Sequence, residues 1–288
     1  MHDRTLKYVL VLPGVLVVFA TAVWPLIDAA ALSVRVWKLS RSSTPGAFIG
    51  LENYLQALES PEFLNAVWNT LLFVVLTVTL TTSLALGLGL LLVKGGTLRR
   101  TVQALLLLPF AMSPALVGVS WRFMFNPEFG LFAALFGAIF PPLANVNWLA
   151  TPTLAFTALV MADVWAWTPF MTLVLIGGLA AIPQETIEAA SVDGASPART
   201  VFQIIVPQLM PVLAVVVILK TIFAQKAFDI IFMLTQGGPG EATQTLVYYA
   251  YLNGFKYYDM GYAAALSWFM VIPMIALTFL YTKFVFRR

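Results

Sequence analysis

FLNAVWNTLLFVVLTVTLTTSLALGLGLLLV, running from Phe63 to Val93, contains no charged side chain. A helix crossing a hydrocarbon core of roughly 30 Å needs about 20 apolar residues, and this run is long enough to do so. Its apolar residues are continuous rather than alternating, which argues against a spanning β-strand. Five further stretches meet the same test: Val9–Ile27, Thr101–Trp121, Thr151–Ala162 continuing past Asp163 to Ala181, Thr200–Leu219 and Gly261–Thr282. The sequence therefore predicts an all-α membrane protein with six transmembrane helices, over about 8–34, 63–93, 101–125, 151–180, 201–233 and 261–284. Phe129–Leu149 is also uncharged but contains Pro141-Pro142, Asn145 and Asn147. It is expected to form a short interfacial helix over Gly130–Phe140 and then a loop, the competing view being a seventh span.

Composition agrees. Of 288 residues, 60% are hydrophobic and 10% charged, whereas soluble domains carry about 25% charged residues. Mean hydropathy is +0.90. The formal charge of +3 is far from a nucleic-acid footprint, so no nucleic-acid partner is expected. Cysteine is absent and His2 is the lone histidine. That excludes thiol catalysis, a His-based triad and a His-ligated metal site. No solenoid repeat or low-complexity linker divides the chain, so 1–288 is expected to be a single transmembrane domain.

Two details set the expected topology. Arg4 and Lys7 precede the first span, and Ala20-Thr21-Ala22 resembles a signal-peptidase site. The apolar run nevertheless continues to Leu32, too long for a signal core, so an uncleaved first helix is expected. With the N-terminus inside, the inner segments carry Arg4, Lys7, Lys94, Arg99, Arg100, Arg199, Lys283, Arg287 and Arg288, against Arg35, Lys38, Arg41, Arg122 and Lys256 outside. Both termini are expected to be cytoplasmic.

The cytoplasmic segment 182–207 stands apart. Ile182-Pro183-Gln184-Glu185-Thr186-Ile187-Glu188-Ala189-Ala190-Ser191-Val192-Asp193-Gly194-Ala195 is acidic and rich in helix formers. Pro183 can start a helix, Gly194 suits a reversal with positive φ or a close backbone approach, and Pro197 starts a second helical piece leading into span five. With Ala189, Ala190 and Ala195 offering small side chains, and Ile187 and Val192 apolar ones, the segment reads as a compact knob shaped for a partner's groove. The alternative is a solvated acidic loop.

Glu188-Ala189-Ala190, then Gly194, Ile204 and Val206-Pro207, resembles the EAA loop of permease subunits from binding-protein-dependent ABC importers. Val206 stands where the consensus has Leu. The resemblance covers nearly the whole chain and is closest to maltose-type sugar permeases. It includes Gly50-Leu51-Glu52-Asn53-Tyr54, Asn69-Thr70, Asn126-Pro127-Glu128-Phe129-Gly130, Phe228-Asp229, Leu234-Thr235-Gln236-Gly237-Gly238-Pro239 with Thr243 and Tyr251, and Gly261-Tyr262-Ala263-Ala264-Ala265-Leu266-Ser267. The large extra external domain of the maltose protein is absent, so the chain is most similar to the compact six-helix members.

The resemblance implies the type I ABC importer permease fold in a bacterial or archaeal cytoplasmic membrane. It also implies four kinds of partner: a second permease subunit (usually a different chain), two ATPase subunits, an external solute-binding protein and a sugar or sugar-like solute. Glu188, Ala189, Ala190, Asp193, Gly194 and Pro207 would couple to the ATPases, and Gly237, Gly238 and Pro239 would meet the binding protein. No Gly-x-x-x-x-Gly-Lys-Ser/Thr cradle is present. This chain is therefore expected to bind no cofactor and not to be an enzyme, with ATP and Mg held on the partner ATPases.

Charges inside spans are costly and should face the bundle or water. Asp163, Trp165 and Trp167 in span four, with Lys220, Gln225, Lys226 and Asp229 punctuating span five, are the expected substrate path. There indole rings would stack on sugar faces. In the alternative, Asp163 pairs with Lys220 or Lys226 and the tryptophans only pack. Lys226 and Asp229, three apart, could neutralise one another on one helix face. A proton-coupled secondary transporter would use Asp163 and Asp229 as relays, but would have no use for the knob.

Overall fold

The computed structural model describes residues 2–93, 97–139 and 146–285. Phe140, Pro141, Pro142 and Asn145 of the expected interfacial segment lie outside the described residues, as do Lys94, Arg287 and Arg288 of the charge comparison. The described residues form helices and loops, with two isolated antiparallel bridges and no extended strand. Five helices are long and apolar enough to cross a membrane, and one bent pair makes a sixth span if taken together. The chain divides into two compact units, Met1–Leu64 with Tyr249–Pro273, and Asn65–Tyr248 with Met274–Arg288.

The first unit contains α1 (Tyr8–Ser33), α2 (Glu52–Glu59), the start of α3 (Pro61–Val93) and the first half of the last helix (Met260–Val285). None of the most apolar window of α1 is buried. A π turn at Phe19–Val23 carries that helix past Pro25, whose ring would collide with the carbonyl four residues back. The Gly50–Tyr54 motif is structural. Gly50 turns with φ 60, and the Asn53 amide donates to the carbonyls of Ser33 (2.8 Å) and Arg35 (3.1 Å). The Tyr54 hydroxyl donates to Ser33 Oγ at 2.8 Å. A Cβ on Gly261 would lie 2.2 Å from the Arg35 carbonyl oxygen, so that position admits no side chain.

The second unit is organised by α7 (Pro152–Ala180). Its most apolar window is 61% buried, against 22% or less for the other single helices long enough to span. A helix apolar all round belongs inside a bundle, and α7 is that helix. Ala85 of α3, Met171, Leu175 and Leu179 of α7, and Leu209 and Val216 of α9 (Pro197–Gln225) form its core. Gly178 lets α9 approach closely, since a Cβ there would lie 2.8 Å from Leu209 Cδ1. Such small-residue contacts are the usual means of helix association in lipid, where burial of apolar surface gives little drive.

Two spans depart from the expected continuous helices. The third is α4 (Thr97–Ala111) and α5 (Pro114–Met124), bent by 95°. Ser113 caps α5, its hydroxyl accepting from Leu116 N at 3.3 Å, and Pro114 takes the first helical position. The fifth ends at Gln225, and a separate helix α10 (Asp229–Leu234) follows, instead of one span to residue 233. Within the stretch expected to hold a short helix stands α6 (Leu131–Ile139). Asn126 Oδ1 accepts from Glu128 N (2.8 Å) and Phe129 N (3.2 Å) to turn the chain into it.

Candidate functional site: an aromatic cavity, a turned knob and a braced loop

α5 and α10, the two short pieces created by the breaks, pack on each other. Gly118 makes this possible: a Cβ there would meet Met233 Cβ at 2.8 Å and the Ile230 carbonyl oxygen at 3.2 Å. Both breaks open onto one cavity of about 300 Å³. Its wall includes Pro109, Met112 and Pro114 from the first break and Lys226, Ala227, Phe228 and Asp229 from the second, with Asp163, Trp167, Phe110 and Phe223 between them.

The expected path residues divide. Asp163 and Trp167 of α7 line the cavity with Lys226 and Asp229. Lys220 stands behind it, fully buried and paired with Asp163, itself 2% exposed. That is one of the two pairings the sequence left open. Its Nζ also lies 5.7 Å from the centroid of Trp167. Lys226 and Asp229 are both exposed and form no ion pair within 4.0 Å, because Lys226 ends one helix and Asp229 starts another. Trp167 stacks on Phe223 at 4.2 Å with its edge toward Phe110, which itself stacks on Phe170 at 4.5 Å. Trp165 points elsewhere. It is 40% exposed and meets Trp121 edge-on at 5.7 Å. Gln225 does not line the cavity, and its Oε1 is buried with no hydrogen-bond partner. Among the described residues no cluster of His, Asp and Glu is arranged to hold a metal ion.

The 182–207 segment forms a helix, a turn and a return helix, as expected. α8 (Gln184–Val192) ends in a Schellman turn: Ala195 N donates to the Ala190 carbonyl (2.9 Å) and Gly194 N to that of Ser191 (3.2 Å). Gly194 has φ 77 and open space around its Cβ position, so the reversal, not a close approach, is what requires glycine. Ser196 caps α9, accepting from Arg199 N at 3.4 Å, and a π turn at Val201–Ile205 carries the helix into the exposed Pro207. The small residues do not share a face. Ala190 is buried within the fold, whereas Glu188, Ala189 and Asp193 face outward. Val192, which sequence reasoning named only as apolar, is 88% exposed.

The Gly237–Pro239 stretch lies in a loop folded on itself. The Thr243 hydroxyl, fully buried, lies 2.7 Å from that of Thr235 and 2.8 Å from the Gly238 carbonyl oxygen. Gly237 turns with φ 80 and is buried against the Tyr248 ring, where a Cβ would lie 2.8 Å from Cε1. Gly238 and Pro239, joined by a cis peptide bond, are half-buried. The outward residues are Gln236, Gly240 and Glu241. Asn65, Asn69 and Thr70 of α3 brace the loop, Thr70 Oγ1 accepting from Leu246 N at 2.8 Å. These bracing roles were not legible in the sequence, where Asn69-Thr70 stood out only by resemblance.

Residues 81–286 match the family described as binding-protein-dependent transport system inner membrane component. The chain is 38% identical over 285 residues to the trehalose/maltose transport system permease protein MalF of Thermococcus litoralis, covering 98% of this chain and 94% of that one. It is 32% identical to the sulfoquinovosyl glycerol transport system permease protein SmoG of Agrobacterium fabrum, over 99% of this chain and 92% of the other. It is 35% identical to the sn-glycerol-3-phosphate transport system permease protein UgpA of Rhizobium meliloti, over 99% and 96%. Among solved structures, a chain of a bacterial alginate ABC transporter, in complex with alginate pentasaccharide-bound periplasmic protein, superposes with a TM-score of 0.84 at 20% identity. That match covers 99% of this chain and 96% of that one. A chain of the MetNI methionine ABC transporter superposes with a TM-score of 0.56 at 18% identity, over 81% and 97%.

Proposed function

The chain belongs to the family of inner membrane components of binding-protein-dependent transport systems and is a permease subunit of an ABC importer, and from that premise we propose that it forms half of the translocation path for a sugar or sugar-like solute. It is a multi-pass protein of the cytoplasmic membrane with the type I importer permease fold, not an enzyme. In our reading the membrane is bacterial or archaeal and both termini face the cytoplasm. A second permease completes the path, two ATPase subunits hold ATP and Mg, and an external binding protein delivers the solute. Segment 182–207 seats in the ATPases, with Glu188, Ala189, Asp193 and the exposed Val192 on its outward surface and Ala190 and Gly194 shaping it. The loop around Gly237, Gly238 and Pro239 meets the binding protein.

The observation that carries this reading is the knob itself: a nine-residue helix closed by a glycine turn, with an apolar side chain 88% exposed at its tip. An exposed valine on an acidic helix contributes nothing to the isolated chain, but is well placed to enter a groove. Alternating access requires the ATPases to move the helices, and α9 continues from the knob directly into the core around Leu209 and Val216. Reconstitution in proteoliposomes tests it. The complete complex should take up sugar with ATP inside and binding protein outside, and omitting the ATPases should abolish uptake. ATP hydrolysis by the purified single chain, or uptake without ATPases, would overturn it.

A further inference from the structure

We propose that the cavity between the two helix breaks selects an uncharged polyhydroxylated solute and disfavours sugar phosphates, sulfonates and uronates. This rests on the reading of the chain as a sugar permease and narrows it. The ionisable side chains lining the cavity are Asp163, Lys226 and Asp229. Lys220, fully buried behind the wall, is committed to Asp163, and its charge is not offered to a ligand. The two cations and two anions cancel. Among the described residues Lys226 is the one cation at the wall, and Asp229 lines the same cavity three residues along the chain.

The solvation argument follows from this balance. The remaining wall is apolar, with Phe110, Trp167, Phe223 and Phe228 supplying its aromatic rings. An anionic group losing its water there would need a cation to itself, whereas Lys226 shares the wall with the carboxylate of Asp229. A neutral sugar loses much less. Its C–H faces fit aromatic rings, while Lys226 donates to hydroxyls and Asp229 accepts from them. Because Lys226 and Asp229 are not tied to each other, both remain free for that use.

This chain's sequence has no cysteine, so an introduced thiol can be read on this chain once its labelled subunits are separated. Ala227→Cys puts a thiol on the cavity wall. Protection of that thiol from a maleimide by solute can be measured on the assembled complex without binding protein, so the binding protein's own selectivity does not enter. Trehalose or maltose should protect at about tenfold lower concentration than glucose 6-phosphate or glucuronate. Adding Asp229→Asn, at an exposed position, leaves a net positive cavity and should move that ratio several-fold toward the anions. Equal or better protection by the anions in the Ala227→Cys complex, or an unchanged ratio with Asp229→Asn, overturns the proposal. Protection by neither class, in a complex that still imports sugar, also overturns it while leaving the permease reading intact. Failure of the complex to import any sugar defeats that reading itself.

Discussion

Asn69 holds Gln244 across 175 positions of chain, its side-chain amide donating to the Gln244 carbonyl at 3.1 Å and also to that of Glu241 at 2.9 Å. One side chain on a spanning helix thus fixes the far end of the loop that begins after α10. A loop already ordered loses less entropy on docking to a partner, the role we propose for this one.

Asn69→Leu removes both bonds, leaving the Gln244 carbonyl without that donor while Glu241 keeps its bond from Asn65 at 3.1 Å. At about 0.5–1.5 kcal/mol per bond, the loop should loosen locally without global unfolding. Faster hydrogen exchange across 236–245, with higher binding-protein concentration needed for half-maximal uptake, is the expected result. Exchange as slow as in the unaltered chain would show that Asn65, Thr70 and the Thr243 contacts hold the loop without Asn69.

For the buried ion pair, Asp163→Asn or Lys220→Met alone leaves one charge among apolar helices. Each should destabilise the complex by about 3–5 kcal/mol, and the double substitution should recover most of that loss. Thermal melting of the detergent-solubilised complex measures it. A double variant no more stable than the singles would mean that the two side chains act separately.

The two tryptophans expected to work together should behave differently. Trp167→Ala removes the ring stacked on Phe223 at the cavity wall, and should reduce uptake severalfold more than it reduces assembly. Trp165→Ala, away from the cavity, should leave uptake close to normal. Uptake assays paired with subunit recovery separate the cases, and equal effects would remove Trp167 from the path.

In the knob, Gly194→Val forces a β-branched residue to φ 77, a conformation costing L-residues about 1–2 kcal/mol. Val192→Asp places a charge at the exposed tip. Both should lower ATPase co-purification and uptake together, while solute binding to the isolated binding protein is unchanged. Ala190→Trp should act differently, by overpacking a buried position and disturbing α8 itself. Glu188→Ala should be milder than any of these. Full ATPase retention in both Gly194→Val and Val192→Asp would remove the segment from coupling.

The six spans were legible because uncharged length is a local property, and so was the glycine turn, because φ above zero nearly requires that residue. The break at Met112-Ser113 was announced by Ser113-Pro114, a helix-start signature. An apolar window spanning it is blind to direction, so the bend was missed. The break after Gln225 has no such signature, and charges there looked like mere punctuation within a span. Whether Asp163 pairs with Lys220 or Lys226 depends on how α7 and α9 face one another, over a separation of 57 residues. No spacing rule encodes that.

The two breaks also expose something that side-chain substitution cannot reach. A helix end leaves up to four carbonyls without partners in its own ladder, and non-helical backbone among apolar spans is tolerated where it lines a cavity or is buried in protein. Met112, Lys226 and Ala227 put such chain ends at the cavity wall. A solute held there, as we propose, would meet peptide backbone as well as side chains, and backbone is the same whatever residue is placed there. Alanine scanning of this wall will undercount its contacts. Backbone edits such as amide-to-ester exchange at residues 112–114 and 226–229 are the probes that would count them.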